Sequence, residues 1–183
     1  MLQVRLLERG KTKIKKILLL CALVASPALA ETNYVSVTPT VDTSAYAAKD
    51  NIGGLQTLSL IGCNNKRRGK ITSVVLTDKS DNAAEYDILT FSSIPVGTFT
   101  DQAAVDPSDS DLLRMNPVIN LASTDHFSFN DNGISSLSGL KSNGIAYVTS
   151  SLPGTLYAAI VSRGTPTYTS SSDITLTIGF ECD

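Results

Sequence analysis

The sequence predicts an all-β fold, an antiparallel β-sandwich that is jelly-roll-like and carries one short helix. Three observations support this. Thr, Ser, Val, Ile and Leu alternate in short runs bounded by Gly, Pro, Asn and Asp, the pattern of half-buried strands between turns. Helix-start signals occur in one stretch only. The regular alternation of strand and helix that builds a parallel sheet is absent.

The elements follow in order. Lys11, Lys13, Lys15 and Lys16 precede an apolar run from Ile17 to Val24, then Ser26, Pro27 and the triplet Ala28-Leu29-Ala30. A basic start, a short apolar stretch and a small-x-small site read as a secretory signal peptide, residues 1–30, cleaved after Ala30. The run falls well short of the ~20 residues a membrane span needs, so no span is expected. A lipoprotein site at Cys21 would want a small residue before it, and Leu20 stands there.

Residues 31–183 are expected to form a single β-sandwich domain. Tyr34 to Thr40 opens as a strand, with Pro39 marking an edge or strand end. Asp50-Asn51 and Gly53-Gly54 read as a turn before a strand over Leu55 to Ile61. Lys70 to Asp78 and Glu85 to Phe91 flank a turn at Lys79 to Asn82 and read as a hairpin. Asp106 reads as the cap of the helix, with Pro107 at its first position and Asp109 and Asp111 in its first turn. Asn116-Pro117 stops it. Val118 to Ala122, Asp125 to Phe129, Ile145 to Thr149, Thr155 to Ser162 and Ile174 to Glu181 read as strands. Asn130 to Gly133 is a turn, and Arg163 to Asp173 is a polar loop.

Charge and composition narrow the function. The chain has 15 basic and 17 acidic residues; six basic and one acidic lie in the leader, leaving nine and 16, a net charge of −7. Such a surface argues against nucleic acid or anionic lipid as a partner. The one basic cluster, Lys66-Arg67-Arg68 with Lys70, sits between strand-like runs and reads as a solvated loop. With no Trp, the core is expected to be aliphatic. Two cysteines remain after cleavage, Cys63 and Cys182, and an even count in an exported protein reads as one disulfide.

No catalytic, cofactor or metal residues are expected. His126 is the single histidine, and no G-x-S-x-G elbow surrounds any serine. Serines and aspartates are abundant enough for a Ser-His-Asp triad on His126, and a hydrolase built from Asp125, His126 and a serine is the third and weakest functional reading. One histidine and a disulfide leave no zinc or copper ligand set. Asp106, Asp109 and Asp111 read as helix capping, and Asp78, Asp81, Glu85 and Asp87 as a solvated hairpin; no EF-hand spacing occurs. Among the tyrosines, Tyr157 reads as packing, and Tyr168, in the polar loop, is the better candidate for recognition, with packing as its other reading. The candidate contact loop is therefore Arg163 to Asp173, with Arg163, Thr165, Tyr168 and Asp173 as its contact residues.

Four stretches occur together in order: VTPTVDTSAYAAKDNIGGL (Val37 to Leu55), ITSVVLTDKSDNAAEYDILTF (Ile71 to Phe91), FTDQAAVDPSDSDLL (Phe99 to Leu113) and TLYAAIVSRGTPTYTSSSDITLTIG (Thr155 to Gly179). In these the chain resembles a family of small uncharacterised structural, virion-associated proteins of tailed bacteriophages and prophages. The resemblance implies a β-rich virion component on a head or tail surface. Members of that family assemble in the cytoplasm without a leader and lack the Cys63 and Cys182 pair, so this chain reads as an exported variant. The expected function is a non-enzymatic structural or surface-interaction module that self-associates through loops and sheet edges. It would be periplasmic or secreted, with the virion as the alternative site. The alternative function is an exported binding module for carbohydrate or a surface protein.

Overall fold

A computed structural model describes residues 32–63, 66–138, 140, 144–149 and 154–183. The predicted leader, residues 1–30, and its cleavage site lie outside the described residues.

Among the described residues, ten strands and one short α-helix, with a 3-10 turn at Ser123–Asp125, form in chain order: β1 (Asn33–Val37), β2 (Asn51–Ser59), β3 (Arg68–Asp78), β4 (Tyr86–Phe91), α1 (Asp109–Leu112), β5 (Ile119–Leu121), β6 (His126–Ser128), β7 (Gly133–Ser138), β8 (Ile145–Val148), β9 (Thr155–Ser162) and β10 (Ile174–Cys182). One sheet has the order β1-β10-β3-β7-β6, with β8 also on β3; the other has the order β2-β9-β4-β5. All pairings are antiparallel. The pairs nest: β1 takes β10, β2 takes β9, β3 takes β7 and β8, and β4 takes β5. That nesting, with the chain passing between two sheets, is the jelly-roll arrangement.

Nesting overturns one expected pairing. β3 and β4 lie in different sheets and are not a hairpin. The turn after β3 is held by Asp78, whose carboxylate accepts from the amides of Ser80 (2.8 Å) and Asn82 (2.9 Å). It redirects the chain across the sandwich. A second correction concerns Gly53 and Gly54, read as a turn. They lie inside β2, where the register with β9 shifts between Ile52 and Gln56. Gly53 has φ of 73°, and a Cβ there would collide with Pro39, so this bulge needs glycine. A third is β7, absent from the expected elements; its serine-rich face shows no apolar alternation.

The helix cap also moves. Ser108, not Asp106, caps α1, and it forms a capping box with Asp111. Asp106 is instead extended and bridged to Thr98, as a residue before proline tends to be.

The core joins both sheets: Leu58, Ile88 and Ile160 from one meet Val74, Leu76 and Ile178 from the other. The core is mainly aliphatic, as expected, but its bulkiest members are aromatic. Tyr46, Tyr86, Tyr168, Phe91 and Phe180 are the largest fully buried side chains. A Cys63–Cys182 disulfide, Cα atoms 5.5 Å apart, ties the segment before β3 to the end of β10. Tyr147 packs beside it, its hydroxyl 3.4 Å from the Cys63 sulfur; burial, and then the charge of Asp183, push that phenol up to about 12.

Candidate functional site

The loop 163–173 splits in two. Arg163 and Thr165 are exposed, and Arg163 pairs with Asp87 at 2.7 Å. Tyr168 and Asp173 are buried, which corrects their reading as contact residues. Tyr168 is 1% exposed; its ring meets Tyr46 edge-on at 5.5 Å, and its hydroxyl lies 3.3 Å from that of Tyr86. Burial raises the Tyr168 phenol far above its ordinary value. Asp173 Oδ2 accepts from the hydroxyls of Ser80 (2.6 Å) and Thr169 (2.8 Å) and from the amides of Thr169 (2.9 Å) and Ser170 (2.8 Å). Burial alone would raise this carboxyl; those four donors outweigh it and hold it below its ordinary value. The loop is thus bound to the 78–82 turn.

A second cluster surrounds His126. Its Nε2 lies 2.9 Å from Asp81 Oδ1 and its Nδ1 3.0 Å from Ser135 Oγ. With Asp81 ionised, Nε2 donates to it and Nδ1 accepts from the Ser135 hydroxyl. The ring lies over Gly133, where a Cβ would strike it. The His126 hydrogen bond holds the Asp81 carboxyl below its ordinary value; burial opposes this and the Ser128 hydroxyl assists. These residue types match a Ser-His-Asp relay, but the acid is Asp81 and not the expected Asp125, whose carboxylate accepts from the amide of Ala122. Ser135 is 2% exposed. What the trio does in this geometry is stitch the 79–85 connection to the β6–β7 hairpin.

The third place was not marked by any motif. Asp111 is fully buried and accepts from the amides of Val96 and Gly97, each at 2.8 Å, and from the amide (3.0 Å) and hydroxyl (2.8 Å) of Ser108. Burial would raise its carboxyl; the four donors outweigh it and bring it to about 2. This clamp joins the 94–97 segment to α1. The apolar side chains beside it face water: Ile94, Val96 (75% exposed), Leu112 and Leu113 (90%). The only hint in the sequence was the run of aspartates that the capping box uses. A smaller apolar pair lies at the edge strand β6, where Phe127 on the strand and Phe129 just after it meet edge-on at 5.0 Å, both exposed.

Among the described residues, no group of three or more His, Cys, Asp or Glu could hold a metal ion, and no helix is long and apolar enough to cross a membrane.

No family model matches the chain, and no curated protein matches it; the resemblance to phage virion-associated proteins therefore gains no support from sequence relatives. Among solved structures, the chain is similar to one described as "Israeli acute paralysis virus heated to 63 degree - full particle", at 11% identity and a TM-score of 0.27, covering 88% of this chain and 73% of that one. A likeness at that level carries no inference about this protein.

Proposed function

We propose that this protein is a non-enzymatic structural and surface-interaction module, exported after cleavage near Ala30, that works by packing against other protein subunits. The observation that carries the reading is the corner clamped by Asp111. Four exposed large aliphatic side chains lie on two segments that one buried carboxylate ties together. Rigid, exposed apolar groups are what a protein-docking surface needs, because little ordering entropy is lost on contact. The disulfide supports an oxidising location, which favours periplasm or medium over a cytoplasmically assembled virion. The carbohydrate-binding alternative loses its best aromatic, since Tyr168 is inside.

The test pairs location with surface chemistry. Intact mass measured with and without reductant, on protein from periplasm, medium and sedimenting particles, should give a chain beginning at Glu31 with one disulfide in periplasm or medium. In native fractions the protein should run above its monomer mass. Val96→Asp with Leu113→Asp should shift it toward monomer with its melting temperature nearly unchanged. Wild type running as a free monomer in every fraction would remove the reading.

A further inference from the structure

We propose that copies of this chain associate head to tail, the basic end of one β-sandwich docking on the acidic, aromatic end of the next. This rests on the interaction-module reading and names a partner and two surfaces for it.

The two ends are set by β3. Its eleven residues run from Arg68 to Asp78, so its ends stand roughly 32–34 Å apart. At the Arg68 end, Lys66, Arg67 and Arg68 are exposed. Arg68 is in register with Val148 on β8, which is itself half exposed, and Ile61 nearby is 81% exposed. The Cys63–Cys182 disulfide anchors this segment. Lys70, in register with Glu181, adds a further cation, and Glu181 and Asp183 are anions on this same end.

The Asp78 end has the opposite character. Asp78 is in register with Gly133, which is in register with Ser128, so the β6–β7 hairpin lies here. Asp131 at its tip is exposed. Phe127, 65% exposed, and Phe129 form the apolar centre. Asp81 reaches this hairpin through His126, and Asp125 precedes it. Asp42 and Asp101 share a hydrogen bond in the loops of the same end. The cations there are Lys49, Lys79 and Arg163, the last already paired with Asp87.

Each end therefore carries an apolar centre with a charged rim, and the rims are opposite in sign. Attraction across such a contact steers encounter and sets register. A two-fold contact between two β6 edges would instead place like charges together, because Asp125 and Asp131 flank Ser128 symmetrically and would face each other across the axis. The complementary patches lie on different surfaces of one molecule, so the contact is heterologous and repeats into a ring or an open chain.

The experiment is sedimentation velocity on the purified protein at low and high salt, with two end-capped variants. One is Arg67→Glu with Arg68→Glu; the other is Phe127→Ser with Asp131→Lys. Near-ultraviolet circular dichroism checks that each is folded. Wild type should form concentration-dependent species larger than a dimer that shrink as salt rises. Each variant alone should associate at least about tenfold more weakly. Mixed one to one, they should form a dimer and stop, since each supplies the end the other lacks.

A wild type that stays monomeric, or stops at a closed dimer, overturns the proposal. So do capped variants that assemble like wild type, or that stay monomeric when mixed. Should either variant misfold, Lys66→Ser and Asp131→Asn take their places with the same directions expected. If purified wild type is monomeric yet the Val96→Asp and Leu113→Asp pair still displaces it from native high-mass fractions, the head-to-tail contact falls and the interaction-module reading stands.

Discussion

The 163–173 loop and the corner at 94–113 are opposites. The loop is rich in Thr and Ser, carries a tyrosine, and looks like a recognition surface. It folds inward, with Tyr168 in the core and Asp173 taking four donors. The corner is unremarkable as sequence, yet it puts Val96 and Leu113 into water around a buried aspartate. Both segments are held by one carboxylate accepting backbone amides and hydroxyls. The difference is the side chains that the clamp leaves over. A polar segment can be structural and an apolar one can be a surface, because a buried carboxylate decides which atoms its loop turns inward.

This comparison can be broken or sharpened by measurement. The largest effect belongs to the disulfide. Cys63→Ser with Cys182→Ser opens a loop of separation 119 and should cost roughly 4–5 kcal/mol on the chain-entropy account, read from urea midpoints. Because the bond anchors the basic segment, loss of head-to-tail association should accompany loss of stability. Tyr168→Ala should cost about 3–5 kcal/mol, as for other large buried aromatics; a stability change below about 1 kcal/mol would return Tyr168 to the surface. Asp173→Ala strands several donors and should cost about 2 kcal/mol or more.

The acid response separates clamped from free carboxylates. Asp111 is held at about 2 against an ordinary 3.8, and Asp173 and Asp81 are also lowered. A lowered folded pKa contributes stability that is fully present above the unfolded value and is lost as pH falls through the folded one. Urea midpoints should therefore drop as pH falls from about 4 to 2. Asp111→Asn should be less stable at pH 6 and show a shallower drop. The smallest stability change belongs to Val96→Asp with Leu113→Asp, within about 0.5 kcal/mol for each exposed substitution. Native gels should nonetheless show its association weakened. A large stability loss there would mean that the corner is core and not surface.

Most strands were legible because a period of two, cut by Gly, Pro and Asn, is a local signal: β9 spans the predicted Thr155 to Ser162 without change. β7 was not legible, because Ser135, Ser136 and Ser138 blur its alternation. The β2 bulge was misread because Gly-Gly marks a turn and a bulge equally well. The cap moved from Asp106 to Ser108 because both residues suit the role and only the Thr98–Asp106 bridge separates them. Of the candidate site, Arg163 and Thr165 are exposed as expected, whereas Asp111 and Asp81 acquire their roles from partners 14 and 45 residues away in sequence.

By itself the sequence determined the all-β class, most of the strand segments, the two cysteines available for one bond and the acidic balance, since propensity, alternation and charge are properties of neighbouring residues. Only the tertiary structure decided that β3 pairs β10 and not β4, that Tyr168 lies inside and Leu113 outside, and that His126 meets Asp81 and not Asp125. Those outcomes depend on which segments the nested sheets bring together. Burying a tyrosine or a carboxylate there is favourable only where distant residues supply its hydrogen bonds.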